Sequence, residues 1–520
     1  MKKTQKASVT VFASLSFMLI LAVSFSLLEA ARITEMKKVT RMNSDAVLES
    51  IFAEYNTPLY KKYGLLGYWA DERREKISFD STMSKIEDYT NKNLNNSPNF
   101  KGRLPLDLIK INSCEASVEK YLLMTDGEGR AFTEAIVEKE KRGLPKTLIN
   151  EAKEKFKSVD AKNSQEKTHK DLDDADEAID NPKEYAKKHN ISLKKDDENS
   201  DSFNNSSNVL DSQNGDKSEN PIKVIKELKQ KGILEIVLEN PEDLSKKEIN
   251  DQNLLSKRDK QRGNINVSSG GFVVDKVALV HYFSKYFSTY RNPRKDAGIQ
   301  YEQEYIIAGK KDDISNLKSA VNKILISRIA SNMVSIYKDK AKMAQIEALA
   351  DTLSVITLSP EIMQCIKIGL ITAWAYGESI LDLRTLMSGG KISVVKSPEE
   401  WTLGLSGIGA LTNKSFKAKE CKKGLKYEEF LAILIALKSE KETTMHAMDI
   451  IEQNIRQEKG YEKFKLDNVV LEAKVDYKYQ INTVFLGFVD LKTDKINSLE
   501  INNSATYSYL KNVIKSNKKN

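Results

Sequence analysis

The sequence has few of the residues from which metal centres and disulfide frameworks are built. Its 520 residues include three cysteines and four histidines. Cys114, Cys365 and Cys421 lie far apart and show no CxxC spacing, so neither a zinc site nor a disulfide framework is indicated. One bridge at most is compatible with this count, and buried thiols are the simplest alternative. We therefore predict no metal site.

The signatures of common enzyme active sites are also missing. The chain contains no HExxH, no GxSxG elbow, no P-loop and no Rossmann fingerprint. His169 and His189 lie in a charged tract, while His281 and His446 lie in apolar helical stretches, where a packed histidine is commoner than a catalytic base. The sequence thus predicts a protein that is not an enzyme, with no catalytic residue and no cofactor.

No large excess of one charge is present. The chain has 82 basic and 74 acidic residues, and its net charge is +8. This mixed surface does not indicate nucleic-acid binding, although a mild basic excess suits an anionic lipid or wall polymer. With 30% charged residues and room for two or more cores, most of the chain is expected to be water-soluble.

The start of the chain is the exception. Three lysines precede Ala7–Leu28, which runs for about twenty residues without a charge, the length that a helix needs to cross a bilayer. A cleaved signal peptide usually has a shorter apolar core followed by small residues at a cutting site, whereas Val9–Leu28 continues without a break into Glu29, Ala30, Ala31 and Arg32. This favours an uncleaved anchor over a removed signal peptide. The lysines at the start favour a cytoplasmic amino terminus, but Arg32, Lys37, Lys38 and Arg41 offset them, so charge alone leaves the orientation open.

The anchor has a face on which another helix can pack. Ala22, Ser26 and Ala30 follow at intervals of four residues, and small residues at this spacing allow close approach of a second membrane helix. Glu29 adds a charge at the membrane edge, where it can pair with a neighbouring subunit, face water or pair with Arg32. Serines are also common passengers in membrane helices, so this packing face remains a hypothesis.

Several segments follow the anchor. Helical spacing without glycine predicts that the helix continues to Tyr60 as a long extension. A charged, low-complexity tract with too little apolar surface for a core predicts an insertion near Glu151–Asn220. The predicted segments are 1–6 (cytoplasmic basic tail), 7–31 (transmembrane anchor), 32–60 (helical extension), 61–150 (first part of an external body), 151–220 (insertion) and 221–520 (remainder of the body).

The body is predicted to be α+β and dominated by helices, with a C-terminal antiparallel sheet. The predicted helices are Met83–Leu94, Ala116–Leu123, Pro221–Gly232, Gly271–Tyr290, two within Ser315–Leu358, Glu361–Met387 and Tyr427–Arg456. The predicted strands are Ile233–Leu238, an alternating strand around Leu471–Tyr479, Val484–Asp490 and Ser504–Leu510.

One carboxylate pair is suited to acid–base chemistry. Glu378 and Asp382 lie four residues apart, which places them on one face of a helix. Arg384 is near enough in sequence to neutralise one of them, so we favour a structural role. Trp374 and Trp401 are expected to be core or interface anchors, with a sugar-binding platform as the alternative.

Some of these segments resemble a known family. The run Ala7-Ser8-Val9-Thr10-Val11-Phe12, followed by Leu28-Glu29-Ala30-Ala31-Arg32, is similar to the anchors of TadE/TadG-like pseudopilins of tight-adherence (Tad/Flp) pilus systems. Later blocks resemble an uncharacterised Gram-positive family encoded with such pili. These blocks are Tyr63-Gly64-Leu65-Leu66-Gly67, Glu302-Gln303-Glu304-Tyr305-Ile306 with Gly309-Lys310, Ala373-Trp374-Ala375-Tyr376 with Glu378-Ser379, and Met448-Asp449 with Asn454-Ile455-Arg456.

The resemblance implies a membrane-anchored, pilus-related role without an established activity, with the amino terminus in the cytoplasm and the body outside the cell. Glu29 lies far beyond the lysines, unlike the glutamate that follows the cleavage point in pilins, which argues for an uncleaved pseudopilin-like component. The expected partners are the lipid bilayer and other membrane-anchored pilus or secretion subunits. The alternatives are a membrane-anchored envelope enzyme acting on wall polymer, and a surface adhesin.

Overall fold

The computed structural model describes residues 3–70, 77–95, 108–140, 173–175, 177–178, 182–189, 220–250, 253–267, 272–354, 359–485 and 498–510. The chain divides into two compact units. Unit 1 consists of residues 1–143, 253–275 and 451–520, and unit 2 consists of residues 144–252 and 276–450. The fold is α+β, with a long apolar N-terminal helix and a C-terminal antiparallel sheet, as the sequence predicts.

The described helices are α1 (Lys3–Ala53), α2 (Thr57–Tyr63), α3 (Asp80–Leu94), α4 (Arg130–Glu140), α5 (Pro182–Lys188), α6 (Pro221–Gln230), α7 (Ile233–Val237), α8 (Phe272–Tyr286), α9 (Glu302–Ala308), α10 (Asp313–Lys338), α11 (Lys340–Ser354), α12 (Pro360–Met387), α13 (Tyr427–Leu437) and α14 (Glu440–Arg456). The strands are β1 (Tyr68–Trp69), β2 (Ser113–Leu123), β3 (Val469–Asn482) and β4 (Ser498–Ser508).

Unit 1 is built on an antiparallel sheet in which β3 is the central strand. β2 pairs along β3 from Ser113 opposite Gln480 to Leu123 opposite Val470. β4 also pairs with β3, and the short β1 pairs with its first two residues. Inward-facing side chains of β3 pack with residues of α1 and α3 in one hydrophobic core. The alternating pattern that predicts this strand is confirmed.

Helix α1 contributes to the core of unit 1 with its second half. Residues with little or no exposure recur there every three or four positions, which is one face of a helix. They are Met36, Thr40, Asn43, Ser44, Val47, Leu48, Ile51 and Phe52. The helix ends at Ala53, and Asn56 caps the next helix by accepting a hydrogen bond from the Leu59 amide at 2.9 Å. The expected extension to Tyr60 is thus two helices, and α1 packs against the sheet over much of this length.

Unit 2 is arranged around α12. Nearly every residue of this helix from Gly369 onward is buried, and α6, α7, α10 and α11 contact it. Gly369 lets Ala175 pack directly on the backbone of α12, because a Cβ at this glycine would lie 2.0 Å from the Cβ of Ala175. Ala175, Tyr185 and Ala186 are buried although they belong to the charged tract, which was expected to bury no core.

Four predicted elements differ from the structure. Ala116–Leu123 is part of strand β2 and not a helix, and Ile233–Val237 is a one-turn helix and not a strand. Tyr427–Arg456 is interrupted after Leu437 and continues as α14. The expected strand Val484–Asp490 begins in a bend at Val484 and Phe485, and its remaining residues lie outside the described part of the chain.

Candidate functional site

The first part of α1 carries a continuous apolar surface. Twelve large apolar side chains between Val9 and Leu28 have exposed fractions between 36% and 73%. The helix is long and apolar enough to cross a membrane, and its most apolar window has a mean hydropathy of 2.4 with none of it buried. Large exposed apolar patches in a soluble protein mark contact with a lipid or another protein.

The apolar surface ends at an ion pair inside unit 1. The Arg32 guanidinium donates to Glu29 Oε1, with distances of 3.0 Å from Nε and 2.8 Å from Nη2. Arg32 also donates to the backbone oxygens of Leu108, at 3.2 Å, and Asn482. Glu29 Oε2 accepts from the amides of Val484, at 3.1 Å, and Phe485, at 2.8 Å. The pair therefore holds the end of β3 against α1.

The packing residues of the anchor hypothesis fall into two groups. Ala22, Ser26 and Ala30 are exposed on α1. Glu29 is 1% exposed, and both of its carboxylate oxygens accept hydrogen bonds from its own chain. The pairing of Glu29 with Arg32 is confirmed, whereas a carboxylate presented to a neighbouring subunit does not fit this arrangement.

The second candidate site is the carboxylate pair on α12. Glu378 and Asp382 lie on one face, as their spacing predicts, and both are fully buried. The Arg328 guanidinium, from α10, donates to Asp382 Oδ2 at 2.9 Å. Lys396, from the loop after α12, contacts Glu378 and lies 2.5 Å from Asp382 Oδ1. These two carboxylates, one guanidinium and one ammonium form what we call the buried charge cluster.

Further hydrogen bonds complete the buried charge cluster. The amide of Leu403 donates to Glu378 Oε2 at 2.8 Å, and that of Thr402 donates to Oε1 at 3.1 Å. Asn332 Nδ2 donates to Asp382 Oδ2 at 3.0 Å. Arg328 Nη1 donates to the backbone oxygens of Ser393 at 2.9 Å and Val394 at 2.6 Å.

The two carboxylates differ in their electrostatic surroundings. Burial raises the pKa of Glu378 despite the nearby Lys396. Burial also acts to raise the pKa of Asp382, but Arg328 and Lys396 outweigh it and the pKa is lowered. Different pKa values in neighbouring carboxylates are a feature of acid–base sites. Here, however, the side chains of all four charged residues are at most 1% exposed, so a substrate cannot reach them.

Arg384, which is close in sequence to Glu378 and Asp382, binds other groups. Arg384 donates to the backbone oxygens of Ile236, Leu411 and Asn413 at 2.7 to 3.1 Å. The prediction that Arg384 neutralises Glu378 or Asp382 is therefore wrong, because Arg328 and Lys396 have that role. Both cations are remote in sequence from the carboxylates and from each other, so spacing alone gives no signal for them.

Trp374, Trp401 and His446 are packed in the body, whereas His281 is partly buried and His189 is exposed. Trp374 and Trp401 are 2% and 7% exposed, and both ring nitrogens donate to the backbone oxygen of Leu403 at 2.7 Å. Burial, together with nearby Lys438, lowers the pKa of His446 to about 4. His446 packs on Gly309, where a Cβ would lie 2.4 Å from its Cε1. His169 lies outside the described residues.

Cysteine and metal chemistry are not indicated where the structure is described. Cys114, Cys365 and Cys421 are separate thiols, and burial raises the pKa of Cys114 to about 11. Within the described ranges, no three His, Cys, Asp or Glu side chains form a group that could hold a metal ion.

Glu304 is a buried titratable residue that the sequence did not single out chemically. Its Oε1 accepts from the Tyr427 hydroxyl at 2.8 Å and from the Tyr290 amide at 2.9 Å. Its Oε2 is buried and has no hydrogen-bond partner within the described part of the chain. Burial raises the pKa of Glu304 to about 7. The sequence does contain a signal for the burial of Glu304, because the apolar residues Tyr305, Ile306 and Ile307 that follow it predict a buried turn.

Several residues of the quoted sequence blocks are bonded to one another. Asn454 Nδ2 donates to the Tyr63 hydroxyl at 2.9 Å in unit 1. The Tyr305 hydroxyl donates to Asp449 at 3.0 Å in unit 2. These blocks therefore specify internal packing of the body in addition to any surface that they form.

Comparison with known proteins gives one assignment. A family model described as a family of unknown function (DUF5702) matches residues 211–481, which is just over half of the chain and includes the buried charge cluster. No curated protein and no solved structure matches the chain. On the extent of this match, the chain belongs to the DUF5702 family of unknown function.

Proposed function

We propose that this chain is a non-enzymatic, single-span surface protein, anchored by the first part of α1 and displaying its body outside the cell. The observation that carries the proposal is the change in burial along α1. The twenty residues Val9–Leu28 are apolar and largely exposed, and at 1.5 Å per residue they extend about 30 Å, the thickness of the hydrocarbon core. From Glu29 onward the same helix packs into unit 1.

The position of the ion pair supports the same boundary. Glu29 and Arg32 are the first charged residues after the apolar surface, and they bind backbone groups of the folded body. Charged groups next to a membrane span belong at the headgroup level. On this proposal, the end of β3 lies close to the outer membrane surface, where Phe485 stacks on Phe25 with ring centroids 6.4 Å apart.

We further propose a pseudopilin-like role in a Tad/Flp-type pilus or secretion assembly. The support is the resemblance of residues 7–32 to such anchors, together with the exposed small-residue face of α1. On this view α1 associates with the anchors of other subunits through Ala22, Ser26 and Ala30. The absence of a reachable catalytic group in the buried charge cluster favours an assembly role over an envelope enzyme.

Two arginines in the span test the anchor. We expect Leu15→Arg/Leu19→Arg to release the protein from the membrane fraction, because each arginine near the centre of a span costs about 3 kcal/mol of insertion free energy. Ala46→Arg/Ser50→Arg is the matched control, since it places two arginines at the same spacing on the exposed side of α1 beyond Glu29. Alkaline carbonate extraction of membranes measures retention; equal retention of both variants would contradict the anchor.

The same membranes report the orientation. In a background in which the three native cysteines are serine, Lys37→Cys should react with a membrane-impermeant maleimide on intact, wall-stripped cells. Lys3→Cys should react only after permeabilisation. The reverse pattern would place the body in the cytoplasm and end the surface proposal.

Association through the small-residue face is tested by crosslinking. With Leu19→Cys as the reporter in the cysteine-free background, we expect Ala22→Leu/Ser26→Leu to lower the crosslinked yield about fivefold, because leucine prevents close helix approach. Ser24→Leu enlarges a small residue on the opposite side of the helix and should leave the yield unchanged. If all variants give the same products and yield, α1 is a tether without a specific packing partner.

A further inference from the structure

Unit 2 contains a cavity of about 340 Å³, to which the family match gives no role. It lies where the turn between α6 and α7 meets α10 and the middle of α12. Its polar side chains are Lys229, Lys231, Lys318, Asn322 and Tyr376, together with Gln230. Its size lies within the range of small-molecule sites, which starts at roughly 300 Å³.

The cavity has an excess of positive charge. Among the residues that the structure describes, three lysines and no carboxylate line it. Lys229, Lys231 and Lys318 make no side-chain hydrogen bond and no ion pair with any residue that the structure describes. Asp173, whose charge acts on Lys229, lies 3.9 Å from Lys226 outside the cavity lining. Burial lowers the pKa of Lys229, against the opposing effect of Asp173. The side chains of Lys231 and Lys318 are exposed and that of Lys229 is partly buried, and an anion in the cavity would accept charge-assisted hydrogen bonds from these ammonium groups.

Tyr376 provides a second, independent indication of a ligand. This residue of α12 is 7% exposed and lines the cavity. Its hydroxyl has no hydrogen-bond partner among the described residues, and burial alone raises its pKa to about 12. Most of the side chain is buried, but the hydroxyl is not among the side-chain oxygens that are wholly removed from solvent, so it can donate to a ligand oxygen in the cavity.

One wall of the cavity is apolar. Ile233, Leu325, Ile326 and Ile329 form this wall. A bare inorganic anion would leave these side chains without contact, whereas a carbon skeleton attached to the anion would cover them. The cavity therefore offers ammonium groups to an anionic group of the ligand, and a hydroxyl and amides to further ligand oxygens. Its aliphatic wall suits a short organic chain or ring.

We propose that this cavity binds a phosphate ester of a small polyol or sugar. The phosphate lies among Lys229, Lys231 and Lys318, and the Tyr376 hydroxyl donates to an oxygen of the ligand. The carbon skeleton lies against the wall formed by Leu325 and Ile329. The proposal is independent of membrane anchoring, because every residue of the site belongs to unit 2.

Calorimetric titration of the full chain in detergent tests the site. The probes are glycerol 3-phosphate, glucose 6-phosphate and inorganic phosphate at fixed ionic strength. We expect at least one ester to bind about tenfold more tightly than inorganic phosphate. Lys229→Gln and Lys231→Gln should each weaken that ester about tenfold, because each removes a charge-assisted hydrogen bond. Tyr376→Phe should weaken it about fivefold.

Lys340→Gln is the matched control, because it removes one exposed lysine of unit 2 that does not line the cavity. It should leave affinity unchanged and thereby exclude a general effect of net charge. Equal weakening by Lys340→Gln, or no binding of either ester, would overturn the proposal. Equal affinity for esters and inorganic phosphate would overturn the role of the apolar wall. Trp emission of each variant checks the fold, since Trp374 and Trp401 lie in unit 2.

Discussion

Replacing Asp382 with asparagine should lower the free energy of unfolding of unit 2 by about 3 to 5 kcal/mol, the usual loss when one member of a buried ion pair is removed. The side chain keeps its shape, but Arg328 and Lys396 then face a single remaining carboxylate in a site without water access. For a unit of this size the thermal midpoint should fall by about 6 °C or more. Thermal unfolding of the full chain in detergent, followed by tryptophan emission, measures the change.

A double-mutant cycle separates charge imbalance from loss of packing. Arg328→Met removes the guanidinium, and Arg328→Met/Asp382→Asn removes one charge of each sign, so that Lys396 and Glu378 remain balanced. We expect the double variant to be less destabilised than the sum of the single variants by about 2 kcal/mol, because charge pairs that share hydrogen bonds couple. Full recovery is not expected, since Arg328 also binds the backbone oxygens of Ser393 and Val394.

The exposed pair Lys311 and Glu248 provides the control. Their atoms are 2.7 Å apart and both side chains are more than half exposed, so Lys311→Met should change stability by less than about 1 kcal/mol. If Asp382→Asn were as mild as Lys311→Met, the cluster would be solvated in solution. Glu378 and Asp382 would then again be candidates for acid–base chemistry.

The elements that the sequence predicts best are those with a long, uninterrupted period. Helix α12 and strand β3 have such periods, and the predicted and observed ranges agree closely. Local propensity predicts a helix for part of strand β2, because alanine, glutamate and lysine are helix formers. Its alternation was nevertheless present, since Cys114, Ala116 and Val118 are less exposed than Glu115, Ser117 and Glu119. Pairing with β3 outweighs local propensity there.

A capping signal explains the other large difference. The expected helix through Tyr427–Arg456 is interrupted because Ser439 and Glu442 have the spacing of a helix start. Ser439 Oγ accepts a hydrogen bond from the Glu442 amide at 3.3 Å. The apolar pattern continues on both sides of this boundary and so predicts a single helix. The spacing of Ser439 and Glu442 is the sequence signal for the break.

The candidate site shows the limit of single-sequence reasoning. The spacing of Glu378 and Asp382 correctly predicts that they share a helix face, but their partners lie 54 positions earlier, at Arg328, and in the loop at Lys396. Long-range pairing of this kind leaves no periodicity in the sequence. By contrast, the apolar start of α1 is a local property, and the sequence locates its end at Glu29 without any tertiary information.

Changing Glu304 to glutamine should stabilise unit 2 at pH 8 and have little effect at pH 4. Burial raises the pKa of this carboxyl from 4.5 to about 7, and Asp313 adds to the effect. A group whose pKa is raised in the folded state keeps its proton after the unfolded chain has lost it. Stability therefore falls as pH increases from about 4.5 to about 7 and is constant, for this group, outside that window.

The expected difference follows from the two pKa values. At about 1.4 kcal/mol for each pH unit between 4.5 and 7, the wild type should lose about 3 kcal/mol that the glutamine variant retains. Glutamine mimics the protonated acid, because its oxygen can accept from the Tyr427 hydroxyl and the Tyr290 amide as Oε1 does. Glu235→Gln, at an exposed carboxylate of α7, is the isosteric control.

Thermal unfolding of the three proteins at pH 4, 5, 6, 7 and 8 measures the effect. The gap in midpoint between Glu304→Gln and wild type should open between pH 5 and pH 7 and reach about 6 °C at pH 8. The gap for Glu235→Gln should stay near zero throughout. A constant gap for Glu304→Gln would mean that the carboxylate is solvated or paired when ionised. Oε2 of Glu304 would then have a water or an ionic partner in solution. Because such a partner needs space, the packing around Tyr427 would have to open at neutral pH.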